Sequence, residues 1–80
     1  MHLDIITPDK KVFAGEANAV TLPGTDGQFQ VLNNHAPLVS SLKRGDLVVD
    51  ISGAKTTYTI DGGVVEVLNN KVLVLAEAVL

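Results

Sequence analysis

The sequence predicts an all-β fold, an antiparallel β-sandwich of about eight to ten short strands in two sheets. Three observations carry this expectation. Apolar and polar residues alternate over short runs rich in Val, Ile, Leu and Thr, the period of a half-buried strand. Turn-formers interrupt those runs about every 8–12 residues, at Pro8-Asp9, Pro23-Gly24, Asp26-Gly27, Asn33-Asn34, Arg44-Gly45, Ser52-Gly53, Asp61-Gly62-Gly63 and Asn69-Asn70. No stripe of helical period runs far before Leu75, and Val, Ile and Thr are poor helix formers.

Taken in order, His2 to Thr7 reads as a strand with Leu3 and Ile5 inward, and Pro8-Asp9-Lys10 as a turn. Val12 to Ala14 is a second short strand, which Gly15 interrupts with a bulge or sharp bend. Ala17 to Leu22 follows with Val20 and Leu22 in the core, then Gln28 to Val31 with Phe29 and Val31 on one face. Asn33-Asn34 turns the chain into His35-Ala36-Pro37, a loop or sheet edge because proline has no amide to donate. Leu38 to Leu42 is expected to end in a hairpin connection at Lys43-Arg44-Gly45-Asp46. Leu47, Val49 and Ile51 then share a face, as do Thr56, Tyr58 and Ile60 after a turn at Ser52-Gly53-Ala54. Another turn is expected at Asp61-Gly62-Gly63, then Val64 to Leu68. Asn69-Asn70 before Lys71 to Leu75 is a primed-turn hairpin signal. Ala76 to Leu80 could begin a helical turn, and no C-terminal helical hairpin follows in these residues.

The 80 residues make a single domain, 1–80, since a second core could not be filled. Hydrophobic content of 46% is ample for a core and a charged fraction of 19% is too low for a disordered tail. Phe13, Phe29 and Tyr58 are the only aromatics, so the core is aliphatic. The absence of cysteine excludes a disulfide scaffold, a thiolate zinc site and thiol catalysis. A net charge of −3 argues against nucleic acid as a partner, and Lys10-Lys11 and Lys43-Arg44 have nothing beside them to stack bases. Met-His-Leu-Asp does not read as a signal peptide, and no apolar run approaches the ~20 residues that span a bilayer. A soluble chain is expected.

No cluster supports catalysis or a cofactor. His2 and His35 stand in separate contexts and form no metal-ligand spacing. Ser40 and Ser41 lack the glycines of a nucleophile elbow. Gly53-Ala54-Lys55-Thr56 resembles the tail of a phosphate loop but has no strand-loop-helix unit around it, so it reads as a hairpin turn. Arg44-Gly45-Asp46, a tripeptide of some adhesion ligands, is equally a turn with a permissive glycine. His35 has two readings, a side chain that hydrogen-bonds a partner and one that braces its own loop.

The stretch Gly27 to Gly45, GQFQVLNNHAPLVSSLKRG, takes the reading further. With the opening HLDIITP of His2 to Pro8, VFAG at Val12 to Gly15 and GGVVEV at Gly62 to Val67, it resembles the N-terminal domain of the epsilon subunit of F-type ATP synthase, called delta in mitochondria. That family has a glycine, an aromatic or aliphatic residue, then His-Ala-Pro-Leu, a hydroxyl residue and a closing glycine at the spacing of Gly27, Phe29, His35 to Leu38, Ser40 and Gly45. The match runs through essentially the whole sequence. Where the family has glycines, Asn34 and Gln30 stand here. Asn34 tolerates a left-handed backbone and keeps the turn, whereas Gln30 implies a straighter strand. An acidic residue found in some members is replaced by Gln28.

The resemblance implies a non-catalytic rotor subunit of the central stalk, supporting the coupling of proton or sodium flow to ATP synthesis. Its partners would be the gamma subunit and the c-type rotor ring, on the cytoplasmic face of the bacterial inner membrane and peripheral to it. Carried over residue by residue, gamma contact falls on Thr7, His35, Ala36, Pro37, Leu38 and Ser40, and ring contact on Asp26, Gln28 and Phe29. Leu38 reads equally as core, and for Phe29 the core reading is the stronger. The family commonly continues into a helical hairpin that regulates the enzyme and in some members binds ATP; neither property is carried over to these residues. The alternative is a generic β-sandwich protein-interaction or ligand-binding module. Apolar residues on both faces of Val72 to Ala76 also imply that the isolated domain self-associates or leaves an apolar patch exposed, which a clean monomer in sedimentation at high concentration, with no binding of a hydrophobic dye, would refute.

Overall fold

The computed structural model describes residues 1–80. Seven strands form one hydrogen-bonded sheet: β1 His2–Ile6, β2 Lys11–Glu16, β3 Ala19–Gly24, β4 Gly27–Leu32, β5 Leu38–Ile51, β6 Ala54–Leu68 and β7 Lys71–Ala76. Their spatial order is β2-β1-β7-β6-β5-β3-β4. All neighbours are antiparallel except β1 and β7, which run parallel from His2 beside Lys71 to Ile6 beside Leu75.

The strands are fewer than expected because two anticipated turns are strand interior. Lys43 to Asp46 lies within the 14-residue β5, and Asp61 to Gly63 within the 15-residue β6. The turn-formers face each other across the ladder, where Leu42 pairs with Gly63, Arg44 with Asp61 and Gly45 with Ile60. Glycines opposed in this way bend a two-stranded ribbon without ending it. A straight 15-residue strand would be roughly 50 Å long, yet the longest dimension of the molecule is 26 Å. The β5–β6 ribbon therefore bends over, and the two layers of the sandwich are halves of one folded sheet that share these strands. Gly62 and Gly63 supply the bend with φ values of 84° and 148°.

Three local expectations are corrected. Gly15 pairs regularly with Leu3, and the register shift lies where Ile5 faces Phe13 and Ile6 faces Lys11, leaving Val12 as the extra residue. The residues after Ala76 are extended, not helical: Val79 bridges Ile60 and the Leu80 amide donates to Thr59 O at 2.8 Å. Ile51 is exposed, because it sits at the lip of the turn and not over the core.

The core is a single aliphatic cluster with no buried polar side chain. Leu3, Ile5, Val20, Leu22, Val31, Leu47, Val65 and Val74 are all at 0% exposure, so both layers contribute to it. Full burial of each such side chain stabilises by about 1.5–3 kcal/mol. The tight hairpins match the sequence signals. Asn69 and Asn70 both have positive φ (51° and 59°), as do Ser52 and Gly53 (52° and 88°), which is the primed-turn geometry that fits the strand twist.

Asn70 also reaches across to a second loop. Its Oδ1 accepts the backbone amide of Asn34 at 2.8 Å. Asn70→Ala is expected to lower stability by about 1–2 kcal/mol, through that bond and the positive φ. Asn70→Gly, which keeps only the backbone freedom, should lie between the two in urea unfolding; equality with wild type would show that the bond contributes nothing.

Candidate protein-docking site

The β4–β5 loop is built by local hydrogen bonds. The His35 amide donates to Leu32 O at 3.2 Å, closing a turn in which Asn34 takes φ 62°. The family glycine is thus replaced by a residue that accepts the same backbone, as the sequence implies. Ala36 and Pro37 follow in an extended, exposed segment that feeds β5. His35 is half-buried, and its Nδ1 lies 2.7 Å from Ala36 O. The loop-bracing reading of this histidine is therefore present in the geometry.

Strand alternation sorts the residues that follow. Leu38 pairs with buried Val67 and Ser40 with buried Val65, so both point towards the core side and are half-buried. Val39 between them points outward and is 70% exposed. Cross-strand register extends that outward row from Val39 to Glu66, Leu73 and Asp4. The adjacent row runs Ser41, Val64, Leu75, Ile6. Val64, Leu68 and Leu75 are each more than 40% exposed. Together these side chains make a face across β5, β6, β7 and β1 that is mainly apolar, with Glu66, Asp4 and Ser41 as its polar members.

A shallow groove opens at each side of this face. One, of about 360 Å³, is lined by Pro37, Leu38, Val39, Glu66, Val67 and Leu68. The other, of about 400 Å³, is lined by Ile6, Thr7, Pro8, Leu75, Ala76 and Glu77. Thr7 itself is committed to its turn: its hydroxyl donates to Lys10 O at 3.2 Å and receives the Asp9 and Lys10 amides. The structure thus brings Thr7 and Pro37-Leu38 to opposite margins of one surface. Val64 between the grooves, and Val39 and Leu75 at their inner edges, were missed by sequence matching. Only strand register, unknown before the structure, shows that they share a face.

Asp26, Gln28 and Phe29 sit apart from that surface, on the β3–β4 hairpin. Asp26 and Gln28 are exposed at its tip, which is tied to β5 by the Thr25 amide donating to Ser41 O at 3.1 Å. Phe29 is partly buried against the core, with its ring over Gly24, where a β-carbon would approach it to 2.9 Å. It anchors the hairpin and leaves Asp26 and Gln28 as the exposed members of the trio. Charge at the far margin is organised around His2, whose Nε2 lies 3.1 Å from Asp4 Oδ2 and whose Nδ1 lies 3.5 Å from Glu16 Oε2.

Comparisons with known proteins establish the family and the fold. The chain is 47% identical over 78 residues to the ATP synthase epsilon chain of Chlorobaculum tepidum, covering 96% of this chain and 89% of that one. It is 45% identical over 76 residues to the epsilon chain of Desulforamulus reducens, covering 95% of this chain but only 58% of that longer relative. Among solved structures, a chain of the Euglena gracilis mitochondrial ATP synthase superposes with a TM-score of 0.91 at 27% identity, over 98% of this chain and 51% of that chain. A chain of the Tetrahymena thermophila mitochondrial ATP synthase, at 16% identity and TM-score 0.87, shares the fold. The family model for the β-sandwich domain of the ATP synthase delta/epsilon chain matches residues 1–80, and the chain belongs to that family.

Proposed function

We propose that this chain is a non-catalytic rotor subunit of an F-type ATP synthase, seated in the central stalk between the gamma subunit and the c-type ring. The observation that carries the reading is the mainly apolar face of β5, β6, β7 and β1, margined by Thr7 and by Pro37-Leu38. A rotor adaptor must hold its partners under load, which calls for an uncovered, rigid contact surface and no chemistry. The gamma subunit takes this face, with His35 and Ala36 at its rim and Ser40 turned to the core side behind it, and the exposed Asp26 and Gln28 of the β3–β4 hairpin reach the polar loops of the ring. The complex keeps the chain peripheral to the membrane, on the cytoplasmic side in a bacterium. Relatives named ATP synthase epsilon chain support this reading.

The test is titration of the chain with the gamma subunit of the same organism. One-to-one binding with a negative heat-capacity change is expected, since apolar surface is buried. Binding to the ring only when gamma is also present fits the same seat, and failure to bind gamma would remove it.

A further inference from the structure

His35 carries chemistry that its role in the loop leaves unspent. The carbonyl of Ala36 can only accept a hydrogen bond, so Nδ1, at 2.7 Å from it, must carry the proton. In the neutral ring the remaining nitrogen, Nε2, is then a lone-pair acceptor. No protein group bonds it. The backbone that carries the ring is also held, by the His35 amide on Leu32 O and by the Asn34 amide on Asn70 Oδ1. Such preorganisation reduces the ordering cost of a contact.

We propose that His35 is a specificity residue for docking, presenting Nε2 as a fixed hydrogen-bond acceptor to an N–H or O–H donor on the gamma subunit. The inference rests on the docking reading above and adds the sign of the contact. A partner offering a carbonyl opposite Nε2 finds two acceptors facing each other, while an amide, hydroxyl or cationic donor finds a partner. The histidine thus discriminates by polarity at the rim of a mainly apolar face.

Two measurements test it. Ring nitrogen shifts of His35 in the ¹⁵N-labelled chain, recorded where the imidazole is neutral, should show Nδ1 protonated and Nε2 bare. The opposite tautomer overturns the proposal without reference to any partner. In calorimetric titration with gamma, His35→Asn keeps an amide near Nδ1 and removes Nε2, whereas His35→Gln places its amide oxygen near the Nε2 position. His35→Asn should weaken binding about tenfold and His35→Gln much less, the size of one neutral hydrogen bond. His35→Asn binding like wild type, or both variants weakened alike, overturns the acceptor while leaving the docking reading intact. Wild-type chain that does not bind gamma at all overturns the docking reading and the acceptor with it.

Discussion

Replacing Gly63 by alanine is expected to destabilise the domain by roughly 3–5 kcal/mol, enough to consume much of the stability of so small a fold. Gly63 is paired on both sides, to Leu42 of β5 and to Ala76 of β7. Its φ of 148° lies where side chains are strained. An added β-carbon would collide with the Leu75 carbonyl oxygen and reach Ala76 Cα at 3.0 Å. These are backbone atoms of a paired strand, so they cannot rotate away as a flexible side chain would. Gly53 is the control, with φ 88° and nothing within 4 Å of the added carbon. Gly53→Ala should therefore cost only about 1 kcal/mol. Urea unfolding of both variants checks the pair, and similar midpoints would show that the β6 bend relaxes around Gly63.

The second large effect concerns binding. Leu75→Asp and Val39→Lys should each weaken gamma affinity about 100-fold, or about 2.7 kcal/mol, the first by burying an unpaired carboxylate in the docking face and the second by desolvating a cation set against Glu66. The charges differ because Val39 pairs with Glu66, where a new carboxylate would repel, whereas Leu75 lies between Val64 and Ile6. Both side chains are substantially exposed, at 70% for Val39 and 49% for Leu75. The loss of folding stability should therefore stay within about 1 kcal/mol, the span of strand propensity. Gln30→Asp, on the exposed side of β4 away from this face, is the comparison and should bind gamma as wild type does. Undiminished affinity in Leu75→Asp and Val39→Lys would move the gamma contact off this surface.

Much of the architecture was legible from local chemistry. Asn69-Asn70 signalled a primed turn and Ser52-Gly53 a turn of unspecified type, and both adopt primed geometry. Leu3, Ile5, Val20 and Leu22 alternated inward as read. The reading failed at Arg44-Gly45 and Asp61-Gly62-Gly63, because glycine serves a turn and a bend equally well. What decides between them is the residue across the ladder, and that is non-local information. Gly45 shows the cause at close range: a β-carbon there would meet Pro23 Cβ at 2.9 Å, so the glycine answers a close approach from β3 and not a chain reversal. The same limit applies to the candidate site. The motif around His35 could be matched residue by residue, but Leu75 and Val64 join it only through pairings with distant strands. Nor could sequence spacing separate Ser40, on the core side, from Val39, on the outer one, in an irregular stretch after a proline.

The parallel pairing of β1 with β7 also dictates an order of assembly. β5, β6 and β7 are joined by two-residue turns and can zip locally, and β3 and β4 close an equally short hairpin. His2, by contrast, must find Lys71 almost a full chain length away, and closing so long a loop costs roughly 2–3 kcal/mol more than closing a tight turn. The β1–β2 hairpin is therefore the last piece to add and the first to peel away. The docking face crosses that seam, with Ile6 on one side and Leu75 on the other. A partner seated there clamps the latest-formed junction of the fold, so assembly into the complex slows the unfolding of the chain as well as holding it in place.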